Sequence, residues 1–398
     1  MKKLLSFVLA LVFLVPLNTV ATATISTEYY SEDLTADTVE TSTSTFTDDD
    51  YKSAVLMEKE TGKVLYESNP HERLAPASIT KIMSLLLICE AIEKGKIELK
   101  SKVVASEHAC SMGGSQIWLE PGEEMTVDEL LRATVIASAN DATVALGEAI
   151  SGSEEAFVNE MNRRAKELKL ENTNFVNCSG LDAENHYSSA YDIAVMSCAL
   201  LKHDLIKKYT TVWMDSLRGG ESELVNTNKL VRFYSGTTGL KTGTTSSAGF
   251  CVSGSAEKDG MELCAVIMGA KNNDGRFGNA KKLLNYGFAN WKITEVKVSQ
   301  KLITSPKVEK GCEDTVKAVP SGVGKYLLSK ESETEITVVP DIPDKVTAPI
   351  AKGQKLGTAN IMLGDKKLGS IDLVAENEVN RFTFLVALKR ILSALISL

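Results

Sequence analysis

Residues 75–92 read APASITKIMSLLLICEAI, with a serine and a lysine three positions apart at the start of a long apolar run. After Lys81, apolar residues recur at intervals of three and four positions, which is the period of a buried or amphipathic helix. Pro76 and Ala77 precede Ser78, so the helix begins close to this serine. Ser78 and Lys81 then lie one turn apart on the same face. The segment therefore predicts a buried helix with a serine and a lysine in contact at its N-terminal end.

This pair is a candidate nucleophile and base. A serine hydroxyl is a weak nucleophile unless a neighbour accepts its proton, and a lysine that burial or another cation keeps neutral can do so. The helix N-terminus adds a positive field and backbone N–H groups that can stabilise an oxyanion. An isolated S-x-x-K pattern usually marks a solvent-facing serine and lysine, but here the helix that follows is apolar.

A second motif, Ser138-Ala139-Asn140, interrupts a helical pattern that opens with the capping box 126–129 (TVDE). Alone, such a break predicts only a capped turn between two helices. Beside a nucleophile, Ser138 could relay a proton to the leaving amine, and Asn140 could hold a substrate amide.

A third motif, Lys241-Thr242-Gly243-Thr244, falls in a predicted strand. Gly243 would let a substrate backbone approach closely, while Lys241 and the two threonine hydroxyls could bind a carboxylate. Alone, the motif is also compatible with an edge-strand lysine beside a glycine bulge. The three motifs together supply a nucleophile, a base, a proton relay and an anion site, which is the equipment of an acyl-transfer active site.

In this combination the motifs resemble those of the penicillin-recognising serine acyl-enzymes. Within that superfamily the chain is most similar to the low-molecular-mass penicillin-binding proteins that are serine-type D-alanyl-D-alanine carboxypeptidases. The similar segments beyond the motifs themselves are 75–78, 114–116, 119–122, 140–142, 180–182, 187–189 and 239–243. The resemblance covers nearly the whole chain after residue 50; it is weakest in the β-rich region after 291.

The resemblance implies that Ser78 attacks the carbonyl between the last two D-alanines of a peptidoglycan stem peptide. Lys81 would act as the base, and Ser138 would pass a proton to the departing D-alanine. The oxyanion would bind the backbone N–H groups of Ser78 and Thr244. The implied substrate-binding residues are Asn140, Lys241, Thr242, Gly243, Thr244 and Arg276. Water would then hydrolyse the acyl-enzyme, β-lactam antibiotics would acylate Ser78 as substrate mimics, and no cofactor is implied.

Two other functions remain compatible with the motifs. A β-lactamase would use a glutamate in an E-x-x-N segment to activate the deacylating water, and Glu171-Asn172-Thr173-Asn174 fits that pattern. The same segment also resembles a hairpin of the carboxypeptidases, in which that glutamate has no catalytic role. A penicillin sensor or wall-binding module would be acylated at Ser78 without rapid hydrolysis.

The order of predicted elements indicates an α+β fold. Residues 53–68 predict a hairpin and 238–268 predict antiparallel strands; helices are predicted between them and at 280–291. Residues 51–291 would thus form a β-lactamase/transpeptidase-like catalytic domain, an antiparallel sheet with helices. Short strand candidates separated by proline and glycine turns make 292–375 a small all-β domain. The candidates are 296–303, 316–319, 326–328, 335–339, 355–362 and 367–373.

The two ends of the chain predict export and membrane contact. Residues 1–23 contain two lysines, an apolar run and Ala21-Thr22-Ala23, as in a cleaved signal peptide. The alternative is a membrane-spanning anchor, which needs about 20 apolar residues, and the apolar run here is shorter. Residues 24–50 are acidic and rich in serine and threonine, which predicts a disordered tether. Residues 376–398 predict an amphipathic helix on the outer face of the bacterial cytoplasmic membrane; packing on the β domain or on a partner is the alternative.

Charge and composition exclude other classes of function. The formal charge of −8 and the pI near 5.3 argue against a nucleic-acid partner. The chain has seven cysteines without a CxxC pattern and four scattered histidines, so no metal site is predicted. Cys89, Cys198, Cys251 and Cys264 lie in apolar runs, where a free cysteine behaves as a small buried hydrophobe.

Overall fold

The computed structural model of the chain describes residues 50–332 and 334–396. The predicted signal peptide and nearly all of the predicted tether lie outside these residues. The α-helices are α1 (Lys81–Glu93), α2 (Glu107–Cys110), α3 (Val127–Arg132), α4 (Asn140–Ser151), α5 (Glu154–Glu167), α6 (Ala190–Leu200), α7 (Asp204–Thr210), α8 (Leu230–Phe233), α9 (Asn273–Asn290) and α10 (Phe384–Ile396).

The strands fall into two regions on either side of α9. Before it lie β1 (Ser53–Glu58), β2 (Val64–Ser68), β3 (Lys102–Val104), β4 (Glu124–Thr126), β5 (Met214–Leu217), β6 (Ser222–Val225), β7 (Thr237–Thr245), β8 (Gly249–Lys258) and β9 (Met261–Ala270). After it lie β10 (Trp291–Val296), β11 (Lys307–Glu309), β12 (Ala318–Pro320), β13 (Gly324–Ser329), β14 (Ile336–Asp341), β15 (Lys345–Thr347), β16 (Lys355–Leu363) and β17 (Lys366–Ala375).

The first region is built on a five-stranded antiparallel sheet in the order β2-β1-β9-β8-β7. Its central strand β9 is apolar on both faces because helices cover both sides. Cys264, Val266 and Met268 face the core that contains α1, whereas Leu263 and Ile267 face the core that contains α9. The sheet joins the two ends of this region, so the predicted hairpin and the predicted strands of 238–268 are confirmed.

The helix after β9 starts earlier than the sequence predicted. We expected a helix over 280–291, but α9 begins at Asn273, and Trp291 already starts β10. The side chain of Asn272 caps the helix by accepting the backbone N–H of Gly275. Gly275 and Gly278 weaken the helical pattern of the first turns, so the sequence pattern does not predict this start.

The region after α9 is a β structure, with a four-stranded antiparallel sheet in the order β12-β17-β16-β14. Ala359, Ile361, Ile371 and Leu373 are buried in its core. The predicted strand 296–303 is wrong: its strand lies at Trp291–Val296, and residues 300–302 form a 3-10 turn. The three-residue strands β11 and β15, which pair in parallel, were not predicted because such short segments carry no periodicity.

Helix α10 follows the β region, and several of its described apolar side chains face solvent. Phe384, Leu385, Ile391 and Leu392 are each at least half exposed. Within the described residues no helix is both long and apolar enough to cross a membrane.

Candidate active site

Ser78 lies in a 3-10 turn, Ala77–Thr80, that leads directly into α1. Two glycines pack closely against the backbone of this turn. A side chain on Gly180 would come within 1.9 Å of the Ala77 carbonyl oxygen, and one on Gly243 within 2.9 Å of the Ser78 backbone nitrogen. The strand β7 and the 180 loop can therefore approach the Ser78 backbone only because both positions lack a Cβ. The predicted placement of Ser78 at the start of a buried helix is confirmed.

Lys81 is fully buried and joins three parts of the chain. Its Nζ lies 3.0 Å from Ser78 Oγ, 2.5 Å from Asn140 Oδ1 and 2.7 Å from the Ser179 carbonyl oxygen. Burial lowers the pKa of Lys81 to about 7, against a smaller opposing effect of Cys178 and Asp141. At neutral pH a large share of Lys81 is thus uncharged and able to accept a proton.

The segment 138–141 is held by its backbone and by one buried carboxylate. A π-helical turn, 133–137, ends at Ser138, which has the left-handed φ of 62° and leads into α4. The carboxylate of Asp141 accepts the backbone N–H groups of Ile117 and Leu119. Ser138 is buried, and its Oγ has no hydrogen-bond partner among residues 50–332 and 334–396.

Both the oxygen and the nitrogen of the Asn140 side-chain amide form hydrogen bonds within the protein. Oδ1 accepts from Lys81, as described above, while Nδ2 donates to the Gly113 carbonyl at 2.6 Å. Its backbone N–H donates to the Ser115 carbonyl at 2.7 Å. In this conformation the side chain positions Lys81, and a substrate amide would have to share or replace the Gly113 contact.

The third motif lies on β7, which pairs only with β8 in the main sheet and so forms its edge. Nη1 of Arg276 donates to the carbonyls of Gly243 and Cys251 at 3.1 and 3.2 Å. The backbone of Gly243 therefore faces β8, and because successive strand residues alternate, the N–H groups of Thr242 and Thr244 face the open edge.

Arg276 supplies positive charge beside this edge, and Lys241 is a buried amine that can do so when an anion binds. Nη1 of Arg276 also donates to Thr244 Oγ1 at 2.9 Å, and burial lowers the pKa of Arg276 to about 10, so it stays charged at neutral pH. Lys241 is buried, and burial, followed by the charges of Lys81 and Arg276, holds its pKa well below the usual range. Thr242 Oγ1 donates to Thr227 Oγ1 at 2.8 Å. An arriving anion would favour the charged form of Lys241.

Glu171 lies away from this arrangement. It is exposed, in a turn whose backbone carbonyl and whose Asn172 side chain accept hydrogen bonds from Arg73. The Asp192 carboxylate accepts hydrogen bonds from the Asn172 backbone N–H and the Thr173 hydroxyl, and Asn174 pairs with Tyr187 in a short β-bridge. The segment is thus a surface hairpin, as its resemblance to the carboxypeptidases implied.

Three contributors were missed by sequence reasoning. The Ser179 carbonyl binds Lys81, the Asp141 carboxylate holds residues 117–119, and His186 binds Thr80 within the nucleophile turn. Only Asp141 lies within a segment whose resemblance was noted (140–142), so an unexplained acidic residue directly after Asn140 was the available signal.

Comparison with known proteins agrees with this geometry. The D-alanyl-D-alanine carboxypeptidase (peptidase S11) family matches residues 39–272, and the penicillin-binding protein 5 C-terminal domain matches residues 293–381. The chain is similar to the D-alanyl-D-alanine carboxypeptidase DacF of Bacillus subtilis, with 46% identity over 85% of this chain and 88% of the relative.

Two solved structures show the same architecture. Penicillin-binding protein 5 from Haemophilus influenzae superposes with a TM-score of 0.70 at 32% identity, over 83% of this chain and 98% of that one. The ampicillin-bound penicillin-binding protein D2 from Listeria monocytogenes gives a TM-score of 0.55 at 30% identity, over 60% of this chain and 97% of that one. The serine–lysine pair, the edge strand with Arg276 and Lys241 beside it, and these matches lead to one conclusion: the chain belongs to the D-alanyl-D-alanine carboxypeptidase family of serine peptidases.

Proposed function

We propose that Ser78 is the nucleophile of this serine-type D-alanyl-D-alanine carboxypeptidase and that Lys81 is its base. The observation that carries the proposal is the position of Lys81 Nζ, 3.0 Å from Ser78 Oγ in a fully buried setting. A neutral amine has two N–H groups and one lone pair. The N–H groups match the oxygens of Asn140 and Ser179, which leaves the lone pair to accept the Ser78 proton.

The substrate would bind along the open edge of β7 as an added strand. Its scissile carbonyl would then lie against the backbone N–H groups of Ser78 and Thr244, which form the oxyanion hole. The terminal carboxylate would bind Lys241, Thr242, Thr244 and Arg276. Gly243 contributes by letting β7 reach the Ser78 turn, since that turn fills the space a side chain would need.

Ser138 would carry the proton from the base to the departing D-alanine. Its buried hydroxyl lacks a partner among the described residues, as expected of a group that completes its hydrogen bonds only when substrate is present. Asn140 would position Lys81 and contact the substrate amide from the other wall.

The reaction proceeds in two steps. Ser78 Oγ attacks the carbonyl carbon between the two D-alanines, Lys81 takes the hydroxyl proton, and the C–N bond breaks as Ser138 delivers a proton to the amine. Water then attacks the Ser78 ester, and the ester bond breaks to release the shortened stem peptide and regenerate the hydroxyl. The substrates are peptidoglycan stem peptides, and β-lactam antibiotics would acylate the same serine, as ampicillin is bound in the Listeria relative.

A β-lactamase is less well supported because Glu171, the glutamate that would activate its water, lies in an exposed surface turn. A slowly deacylating sensor differs only in the second step, so it is the competing function to test.

We also propose that the protein is exported and lies on the outer face of the bacterial cytoplasmic membrane. Residues 1–23 would be its signal peptide and 376–398 its peripheral anchor. The exposed apolar side chains of α10, including Phe384 and Leu385, support a helix that lies in the membrane interface. Deleting residues 381–398 should release the protein from membranes; unchanged sedimentation with vesicles would contradict the anchor.

The carboxypeptidase proposal is tested by incubating the purified protein with diacetyl-Lys-D-Ala-D-Ala and measuring free D-alanine. We expect multiple turnovers, and we expect Ser78→Ala to abolish both D-alanine release and labelling by penicillin. Penicillin labelling of Ser78 without D-alanine release would favour the sensor.

A further inference from the structure

Trp118 is the most exposed large aromatic side chain among the described residues before α10. It is 76% exposed, whereas the indole nitrogens of the other two tryptophans, Trp213 and Trp291, are buried. A single exposed apolar side chain needs no explanation by itself. The backbone at Trp118, however, has an unusual conformation that several hydrogen bonds stabilise.

Trp118 has φ of 59°, a left-handed conformation that bulky residues rarely adopt. The N–H groups of its neighbours, Ile117 and Leu119, both donate to the Asp141 carboxylate. The carbonyl oxygens of Ile117 and Trp118 both accept from Arg218, which is itself paired with Glu123. Four hydrogen bonds on three residues thus fix a strained backbone that directs the indole outwards, away from the core.

The same segment forms one wall of the active site. The carbonyls of Gly113 and Ser115 bind the side chain and backbone of Asn140, whose Oδ1 binds Lys81. Asp141, which holds the Trp118 loop, directly follows Asn140 in the chain. Trp118 therefore projects from the rim of the site on an element that is rigidly joined to its catalytic centre.

We propose that Trp118 is a stacking platform for a sugar ring of the glycan strand to which the stem peptide is attached. This inference rests on the proposed function, because the D-Ala-D-Ala end must lie at Ser78. A stem of about five residues spans roughly 17 Å, so the attached sugar lies near the rim and not in the catalytic centre. The C–H face of a pyranose is flat and apolar, and a rigid indole covers it with little loss of side-chain entropy, while its N–H can bind a hydroxyl.

The first test compares two substrates that share the scissile bond: a disaccharide pentapeptide and diacetyl-Lys-D-Ala-D-Ala. The ratio of their kcat/KM values should fall about tenfold in Trp118→Ala, as for the loss of one stacking contact, and less in Trp118→Phe. Val339→Ala, which truncates an exposed apolar residue of β14, is the matched control and should leave the ratio as it is. An unchanged ratio in Trp118→Ala would overturn the proposal.

The second test needs no turnover and so separates this proposal from the proposed function. In a Ser78→Ala background, the disaccharide pentapeptide should shift tryptophan fluorescence, and the shift should be absent in Ser78→Ala/Trp118→Phe. The pentapeptide without sugar should produce little shift. An equal shift with the sugar-free pentapeptide would overturn the sugar assignment, and no shift with either ligand would overturn the site itself. If Trp118→Ala fails to fold, the second test, which uses only Trp118→Phe, decides the proposal.

Discussion

Nε2 of His186 lies 2.8 Å from Thr80 Oγ1, in the buried layer behind the turn that carries Ser78. The other ring nitrogen, Nδ1, accepts the backbone N–H of Val176 at 3.0 Å, so Nε2 carries the proton and donates it to Thr80. The histidine therefore joins the nucleophile turn to the loop whose Ser179 carbonyl binds Lys81.

We expect His186 to make the protein sensitive to acid. Burial lowers its pKa to about 4, below the ordinary value of 6.5. The unfolded chain thus binds more protons than the native protein between these values, and stability falls as pH decreases from about 6.5 to about 4. In His186→Gln this loss of unfolding free energy should disappear, as measured by denaturant titration across that range. The exposed His71→Gln is the control, and an unaltered pH dependence in His186→Gln would contradict the assignment.

Lys81 should set the pH dependence of acylation. Since its pKa is about 7 and the neutral form accepts the proton, the rate of penicillin acylation should rise with pH through about 7 and then level off. Lys81→Met should lower that rate at least ~100-fold. Lys94→Met, at the exposed position directly after α1, is the control.

Lys81 should also affect stability in a defined direction. Between about 7 and the ordinary value of 10.5 the unfolded chain binds one more proton than the native one, so stability rises with pH in this range. This rise should be smaller in Lys81→Met, in which Lys241, whose pKa burial also lowers, still contributes a rise of the same sign. For the acylation prediction, the contradicting outcome is a wild-type penicillin acylation rate that does not change between pH 5 and 9, which would show that another group is the base.

Gly180→Ala should damage catalysis and stability together. A methyl group would lie 1.9 Å from the Ala77 carbonyl, so the loop or the Ser78 turn has to move. We expect a loss of ~3 kcal/mol or more of unfolding free energy and slower penicillin acylation. Gly152→Ala is a matched control, because Gly152 has a similar positive φ with nothing within 4 Å of the added Cβ. Its cost should be about 1 kcal/mol, with acylation unchanged; equal effects of the two variants would argue against the clash.

Arg276 should confer preference for a free carboxyl terminus. In Arg276→Gln, the charge-assisted contacts at Thr244 and Gly243 are lost. The preference for Lys-D-Ala-D-Ala over its C-terminal amide, as a ratio of kcat/KM values, should shrink about tenfold. The exposed Arg163→Gln controls for the loss of one positive charge. A preserved preference would assign carboxylate recognition to Lys241 alone.

Local signals explain which parts of this fold could be predicted. The capping box at Thr126 is present with both of its hydrogen bonds, and the strands predicted within 238–268 pair as neighbours in the sheet, because these features depend on residues close in sequence. The start of α9 was missed where two glycines interrupt the helical pattern.

The residues of the site likewise divide into those that local sequence predicts and those that only long-range contacts reveal. Ser78 and Lys81 are three residues apart and predictable as a pair, whereas the Ser179 carbonyl is 98 residues from Lys81 and His186 is 106 residues from Thr80. A backbone acceptor has no sequence signature, and a buried histidine resembles any other core polar residue until the fold brings its partners together.

The buried cysteine thiols can report how often the core of the protein opens. Five of the seven, including Cys198 on α6 and Cys251 and Cys264 on neighbouring strands, are buried, and burial raises the pKa of these thiols. Thiolates are the reactive form, so a water-soluble alkylating reagent should modify these positions only when the sheet separates from its helices. The number of cysteines alkylated over time in the native protein therefore measures how often its core opens to solvent.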